Sequence, residues 1–241
     1  MVLWSAAVFA GESNWHVRSG AANAACALRQ CEPGLSYVYF IATGASAGKG
    51  HSKDVKGWVH TVMACLPELT GNPKPVLCPY ACDSWRARFF YSGGGSIWNG
   101  RLHFHDFSYA DVKTDPAVVA RNEEALVRAQ RRFRPGNTHV FVYTLTEPML
   151  SAYRKGETPA YIAAMERVAD HYGIPSVNLA KAAAEKIISG ELKEEDFLGK
   201  LNRDSAPGDR QTDAGAKFYN ETMAAFLKAL FAAKPAVEKS V

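Results

Sequence analysis

Six short runs rich in β-branched and aromatic residues, separated by longer stretches of helical character, constrain this chain more than any other feature. The runs are Leu3 to Phe9, Ser36 to Ala42, Val76 to Tyr80, Leu102 to Phe107, His139 to Thr144 and Ser176 to Leu179. They read as mostly buried, and strands buried on both faces belong to a parallel sheet covered by helices on each side. The intervening stretches predict helices over Trp15 to Arg29, Lys53 to Leu66, Pro116 to Phe133, Pro159 to Tyr172, Ala180 to Ser189 and Asp213 to Ala232. Alternation of this kind predicts an α/β fold of three layers, α/β/α. The start of the third helix is the most explicit, with Asp115 as N-cap, Pro116 in the first turn and arginines at the far end. Glycine-rich Tyr91 to Gly100 and polar Arg203 to Gln211 read as loops.

With 241 residues, 47% of them hydrophobic, one domain over residues 1–241 can bury a full core without disulfides or metal. The net charge of +4 is spread along the chain with no block of like charges and no aromatic-interleaved basic stripe, which argues against nucleic acid as a partner. Five cysteines (Cys26, Cys31, Cys65, Cys78 and Cys82) form no C-x-x-C pair, so the expectation is buried free thiols in a reducing, cytoplasmic setting. The apolar opening Val2 to Ala10 lacks a basic stretch before it and is far shorter than the roughly 20 residues a membrane span requires. It reads as a first strand, and no membrane association is expected.

From Phe141 the chain reads FVYTLTEPMLSAYRKGETPAYIAAMERVADHYGIPSVNLA: an apolar strand, a polar switch, an amphipathic helix and a second strand led by Gly173 and Pro175. Such a segment is one β-α-β unit. The wording FVYTLTE with Met149 and Leu150, the helix with ME-x-VA, the phrase HYGIPSVNL and the closing TDAGAKFYNE (Thr212 to Glu221) resemble SGNH (GDSL-type) hydrolases. The resemblance covers the chain from about Thr114 to its end. It implies a flavodoxin-like parallel sheet and a serine esterase or lipase activity without cofactor or metal, in many members the removal of acetyl groups from carbohydrates. The implied partner is a small-molecule or carbohydrate ester; nothing in the sequence speaks to oligomeric state.

That family works through four sequence blocks. A nucleophilic serine belongs at a strand-to-helix turn, where backbone N–H groups hold its hydroxyl open to substrate. Gly44-Ala45-Ser46, followed by Ala47-Gly48-Lys49-Gly50, is the better match; Gly11-Glu12-Ser13 is the alternative. A glycine beside a serine at a strand end is also ordinary turn and cap chemistry. The second block needs a glycine whose N–H faces the oxyanion, and Gly94 within Gly93-Gly94-Gly95 fits the Ser46 alignment. The third block should offer an asparagine, and here that position is Ala110, ahead of Asp111.

The fourth block should read Asp-x-x-His-Pro, but the chain reads NRDSAPGDRQTDAG, with Pro207 and Arg210 at the aspartate and histidine positions. Asp204, or with another gap Asp209, can supply the acidic member. No histidine follows His171, and arginine cannot act as a general base near neutral pH. His103 and His105 share one face of their strand; they read as a partly exposed face or, in the sharper reading, as a substitute base or a two-histidine metal site near Asp106 or Asp111. His51 follows Ser46 closely. Two functions therefore stand: an SGNH-type serine esterase with an unusual base, or an inactive protein of that fold using Arg86, Arg210, Trp85 and Trp98 to bind a sugar or acyl ligand. A phosphate-binding loop at Gly44 to Gly50 lacks the Gly-Lys-Ser/Thr wording.

Overall fold

The computed structural model describes residues 14–29, 37–42, 57–70, 77–81, 100–133, 135–199 and 211–233. In chain order the elements are β1 (Trp15–His16), α1 (Ala21–Arg29), β2 (Tyr37–Ala42), α2 (Trp58–Thr70), β3 (Leu77–Ala81), β4 (Gly100–Asp106), α3 (Ser108–Asp111) and α4 (Pro116–Phe133). They continue with β5 (Thr138–Tyr143), α5 (Glu147–Arg154), α6 (Ala160–Tyr172), β6 (Ser176–Asn178), α7 (Leu179–Ile188), α8 (Glu195–Leu198) and α9 (Asp213–Ala232). The predicted strand Leu3 to Phe9 lies outside the described residues.

The sheet runs β1-β6-β5-β4-β2-β3, parallel throughout except for β1, which pairs antiparallel with β6. From β2 the chain passes to β3 on one side, then crosses to β4 on the other, which is the flavodoxin-like winding with one short strand added at an edge. Helices α1, α2 and α9 pack together against one face, and α4 packs with α6 on the other. The first face is apolar: the rings of Trp58 and Phe104, both fully buried, lie 6.2 Å apart, and Tyr219, Phe226 and Leu227 of α9 are sealed with them. Among the described residues no helix is long and apolar enough to cross a membrane.

Asp115 caps α4 as expected, its Oδ1 accepting the N–H groups of Ala117 (2.8 Å) and Val118 (3.2 Å). The start of the chain departs from expectation. Trp15 and His16 are an edge strand, not the first turn of a helix, and α1 begins only at Ala21. The reason is tertiary: Arg18 donates to Asp170 (2.7 Å), Ser176 Oγ (2.8 Å), the Ile174 carbonyl (3.1 Å) and Glu166, holding the segment extended along β6. Gly20 N–H then donates to the Gly173 carbonyl at 2.8 Å, an approach so close that a Cβ on Gly20 would meet that oxygen at 2.5 Å. Gly173 itself ends α6 in the left-handed conformation at φ 65°. The polar switch after β5 also holds an additional helix, α5, ended by Gly156 at φ 75° before Pro159 opens α6.

Candidate functional site

In an open parallel sheet, ligands are held outside the carboxyl ends of the strands where the winding reverses. Here the reversal lies between β2 and β4, whose last residues, Ala42 and Asp106, are register partners. Residues 43–56, with Ser46 and His51, lie outside the described residues; the chain enters them directly from Ala42. The other expected site residues, Gly94 and Asp204, lie outside them too, as do Ser13, Trp85, Arg86, Trp98 and Arg210.

The floor at this edge is built by hydrogen bonds that lock the strand ends together. Asp106, fully buried, accepts the Ser108 N–H (3.1 Å) through Oδ1 and the Thr144 hydroxyl (2.9 Å) through Oδ2. The Thr144 N–H in turn donates to Ser108 Oγ at 3.1 Å, and the Leu145 N–H donates to the Tyr219 hydroxyl oxygen at 2.9 Å. The ends of β4 and β5 and helix α9 are thereby one unit. Helix α9 starts where the closing block predicts: the Thr212 hydroxyl oxygen accepts the Gly215 N–H (3.3 Å), and the hydroxyl donates to Asp196 of α8 at 2.6 Å. Gly215 is required there, since a Cβ would meet the Asp196 carbonyl oxygen at 2.0 Å.

Burial pushes the Asp106 carboxyl up to about 6, against the opposing pull of the Ser108 and Thr144 hydrogen bonds. A carboxyl raised in the folded state stabilises the fold fully below its unfolded value, 3.8, and loses that contribution as pH rises through about 6. Asp106→Asn removes the ionisation. Relative to the wild type, the variant is expected to gain on the order of 2–3 kcal/mol between pH 4 and pH 7.5. Urea unfolding of both proteins at the two pH values measures this, and a constant difference between them would mean that Asp106 ionises at its ordinary value.

The strand ends at Asp106, so Ala110 is not on it but on the short helix α3, half-buried, with Asp111 buried beside it. Its methyl group offers no donor at the place where the family's asparagine is expected. His103 and His105 correct another expectation. They do not line a partly exposed face: both are fully buried between β4, β5 and α4. His105 Nδ1 lies 2.5 Å from Glu123 Oε1 of α4, and its Nε2 lies 3.3 Å from His139 Nδ1. The His103 ring stacks on His139 at 5.5 Å. When His105 is neutral, donation from Nδ1 to Glu123 leaves Nε2 to accept from His139 Nδ1. Burial, then the neighbouring His105 and His103, hold His139 well below the ordinary imidazole range, so it stays neutral.

This chain of polar groups is sealed in the interior, so none of the three rings is open to substrate. As a metal site it also fails: among the described residues no group of three or more His, Cys, Asp or Glu side chains could hold an ion. Sequence reasoning passed over Glu123, although Asn122, Glu123 and Gln130 fall on the same α4 face as Val119, Leu126 and Val127, a spacing that marks them as inward-facing.

Comparison with known proteins identifies the fold. No protein-family model and no curated protein matches the chain. Among solved structures, a two-domain esterase active on acetylated mannans matches with a TM-score of 0.62 at 15% identity over 85% of this chain and 51% of that one. The chain therefore spans about half the length of that esterase. A GDSL-like lipase from Parabacteroides merdae matches with a TM-score of 0.60 at 9% identity, covering 80% of this chain and 96% of its own. The lipase/acylhydrolase from Enterococcus faecalis matches at 0.54 with 12% identity, covering 84% and 99%.

Proposed function

Starting from a chain with the fold of the SGNH (GDSL-type) hydrolases, we propose that it is a serine esterase acting on an acylated carbohydrate, O-acetyl groups above all. One observation supports this reading: β2 ends at Ala42, the register partner of Asp106 at the winding reversal where this architecture holds ligands, and Gly44-Ala45-Ser46 follow Ala42 in sequence. In the reaction Ser46 Oγ attacks the ester carbonyl, its proton passes to a base, and the carbonyl oxygen becomes an oxyanion held by the Gly94 N–H. Collapse expels the sugar alkoxide, which takes the proton back from the base; water then hydrolyses the acyl-serine. The base falls to His51, on the segment that follows the nucleophile, with Asp204 as the orienting acid. That the neighbouring esterase is active on acetylated mannans supports the carbohydrate class.

A second reading has its own support. With alanine at 110 and no histidine after His171, two parts of the family's machinery are replaced, and the crevice would then hold an acylated sugar without cleaving it, using Arg86, Arg210, Trp85 and Trp98. The test is hydrolysis of p-nitrophenyl acetate and acetylated mannooligosaccharides by the full chain beside its Ser46→Ala and Ser13→Ala variants. Expected is an activity removed by Ser46→Ala and kept by Ser13→Ala. A wild type no faster than buffer, combined with a melting temperature raised by the acetylated oligosaccharide, would establish the binding reading instead.

A further inference from the structure

Helix α4 turns its inward face to the histidine chain and an unusual face to solvent. The described residues lining a concavity of about 640 Å³ along it include Arg121, Arg128, Arg131 and Arg132, over a floor that the small side chains of Ala125 and Ala129 leave low. One solvent-facing carboxylate, Glu124, stands among them; it lies 3.6 Å from Arg128 and accepts the Tyr172 hydroxyl at 3.0 Å. Arg121 and Arg132 are exposed and make no ion pair among the described residues.

The ordinary explanation for basic residues on a helix is its dipole, which favours cations in the last turn. That accounts for Arg131 and Arg132. It does not account for Arg121, which sits in the second turn, near the end where the dipole favours anions. Local contacts engage two arginines of the four, Arg128 with Glu124 and Arg131 with Tyr172. What remains is an open groove with forked donors along its length and little to neutralise them, complementary to a chain of carboxylates. Arg131 lies over the Tyr172 ring at 5.1 Å, so that ring is covered and is no platform for a nucleobase.

We infer that this groove binds an anionic carbohydrate, a polyuronate whose carboxylates pair with the arginines of α4. The negative charge of the ligand is argued from the groove; its carbohydrate nature rests on the esterase reading. On the esterase reading, the esters cleaved are then those of an acidic glycan.

The experiment is calorimetric titration of the full-length Ser46→Ala protein, which binds without turnover, with oligogalacturonate, mannopentaose and single-stranded DNA of similar charge. Oligogalacturonate is expected to bind, about tenfold more weakly when Arg121, Arg128 and Arg132 are all changed to Gln, as the loss of three exposed charge pairs implies. Its affinity should also fall as salt rises. Changing the three to Lys, which preserves charge but not the forked donors, should recover part of the loss and excludes a folding defect. Mannopentaose binding as tightly as oligogalacturonate, DNA binding as tightly, or no binding of oligogalacturonate would each overturn the inference. None of these bears on the hydrolysis assay of the esterase reading, which uses neutral esters and fails or succeeds independently.

Discussion

Ala110→Asn should raise kcat for p-nitrophenyl acetate by about a hundred-fold, with Ser46→Ala abolishing the gain. Removing one oxyanion donor from a hydrolase costs on the order of 10²–10³ in rate because the developing charge loses a fixed partner in a site that excludes water. Restoring the donor recovers that stabilisation if its position is right. The backbone for it is already in place: Ala110 lies on α3, immediately beyond the β4 end that partners Ala42, and the Asp106, Ser108 and Thr144 hydrogen bonds hold that turn. Position 110 is half-buried, so a larger side chain there is not confined to the core. Steady-state kinetics of the wild type, Ala110→Asn and the Ala110→Asn, Ser46→Ala double variant decide the matter. An unchanged kcat would show that the oxyanion is held elsewhere, or that no acyl transfer occurs.

The second large effect concerns stability. Glu123→Ala removes the carboxylate at 2.5 Å from His105 and leaves an imidazole N–H buried without an acceptor, inside a void where the side chain had been. Breaking a buried pair from one side costs about 3–5 kcal/mol, much of what a domain of this size has to spare. Glu123→Gln retains an acceptor oxygen and should lose only about 1–2 kcal/mol. Urea unfolding of the three proteins tests the ordering. Equal losses for Ala and Gln would mean that charge, not hydrogen bonding, sustains the pair, and a loss below about 1 kcal/mol for Ala would mean that His105 finds another partner.

What could be seen in advance follows from the length over which each signal is written. The strands β2 to β6 and the helices α4, α6 and α9 each carry an apolar pattern long enough to identify them, and the Asp115-Pro116 start is a local signal that the structure retains. A two-residue strand such as β1 has no period at all; it exists because Arg18 finds partners about 150 residues further on. Helix α5 was hidden by its continuity with the α6 pattern. The histidines misled for a different reason. A polar side chain on a strand is read as exposed unless its partner is known, and the partner of His105 is on the next helix. At the crevice the sequence was most informative about what the site lacks: position 110 cannot donate, whatever the fold around it.

The short strand β1 has a consequence for how this protein meets other molecules. A parallel sheet that ended in β6 would expose a row of backbone amides and carbonyls ready to accept a further strand from any extended chain. Trp15 and His16 occupy that row in the opposite sense, the Asn178 N–H is taken by the Asn14 carbonyl at 2.8 Å, and Arg18 fastens the arrangement from the side. The edge of β6 is taken by the protein's own backbone, so a second copy or a stray peptide can pair with β6 only after undoing a four-fold guanidinium clasp, and the edge left to solvent is a strand of two residues.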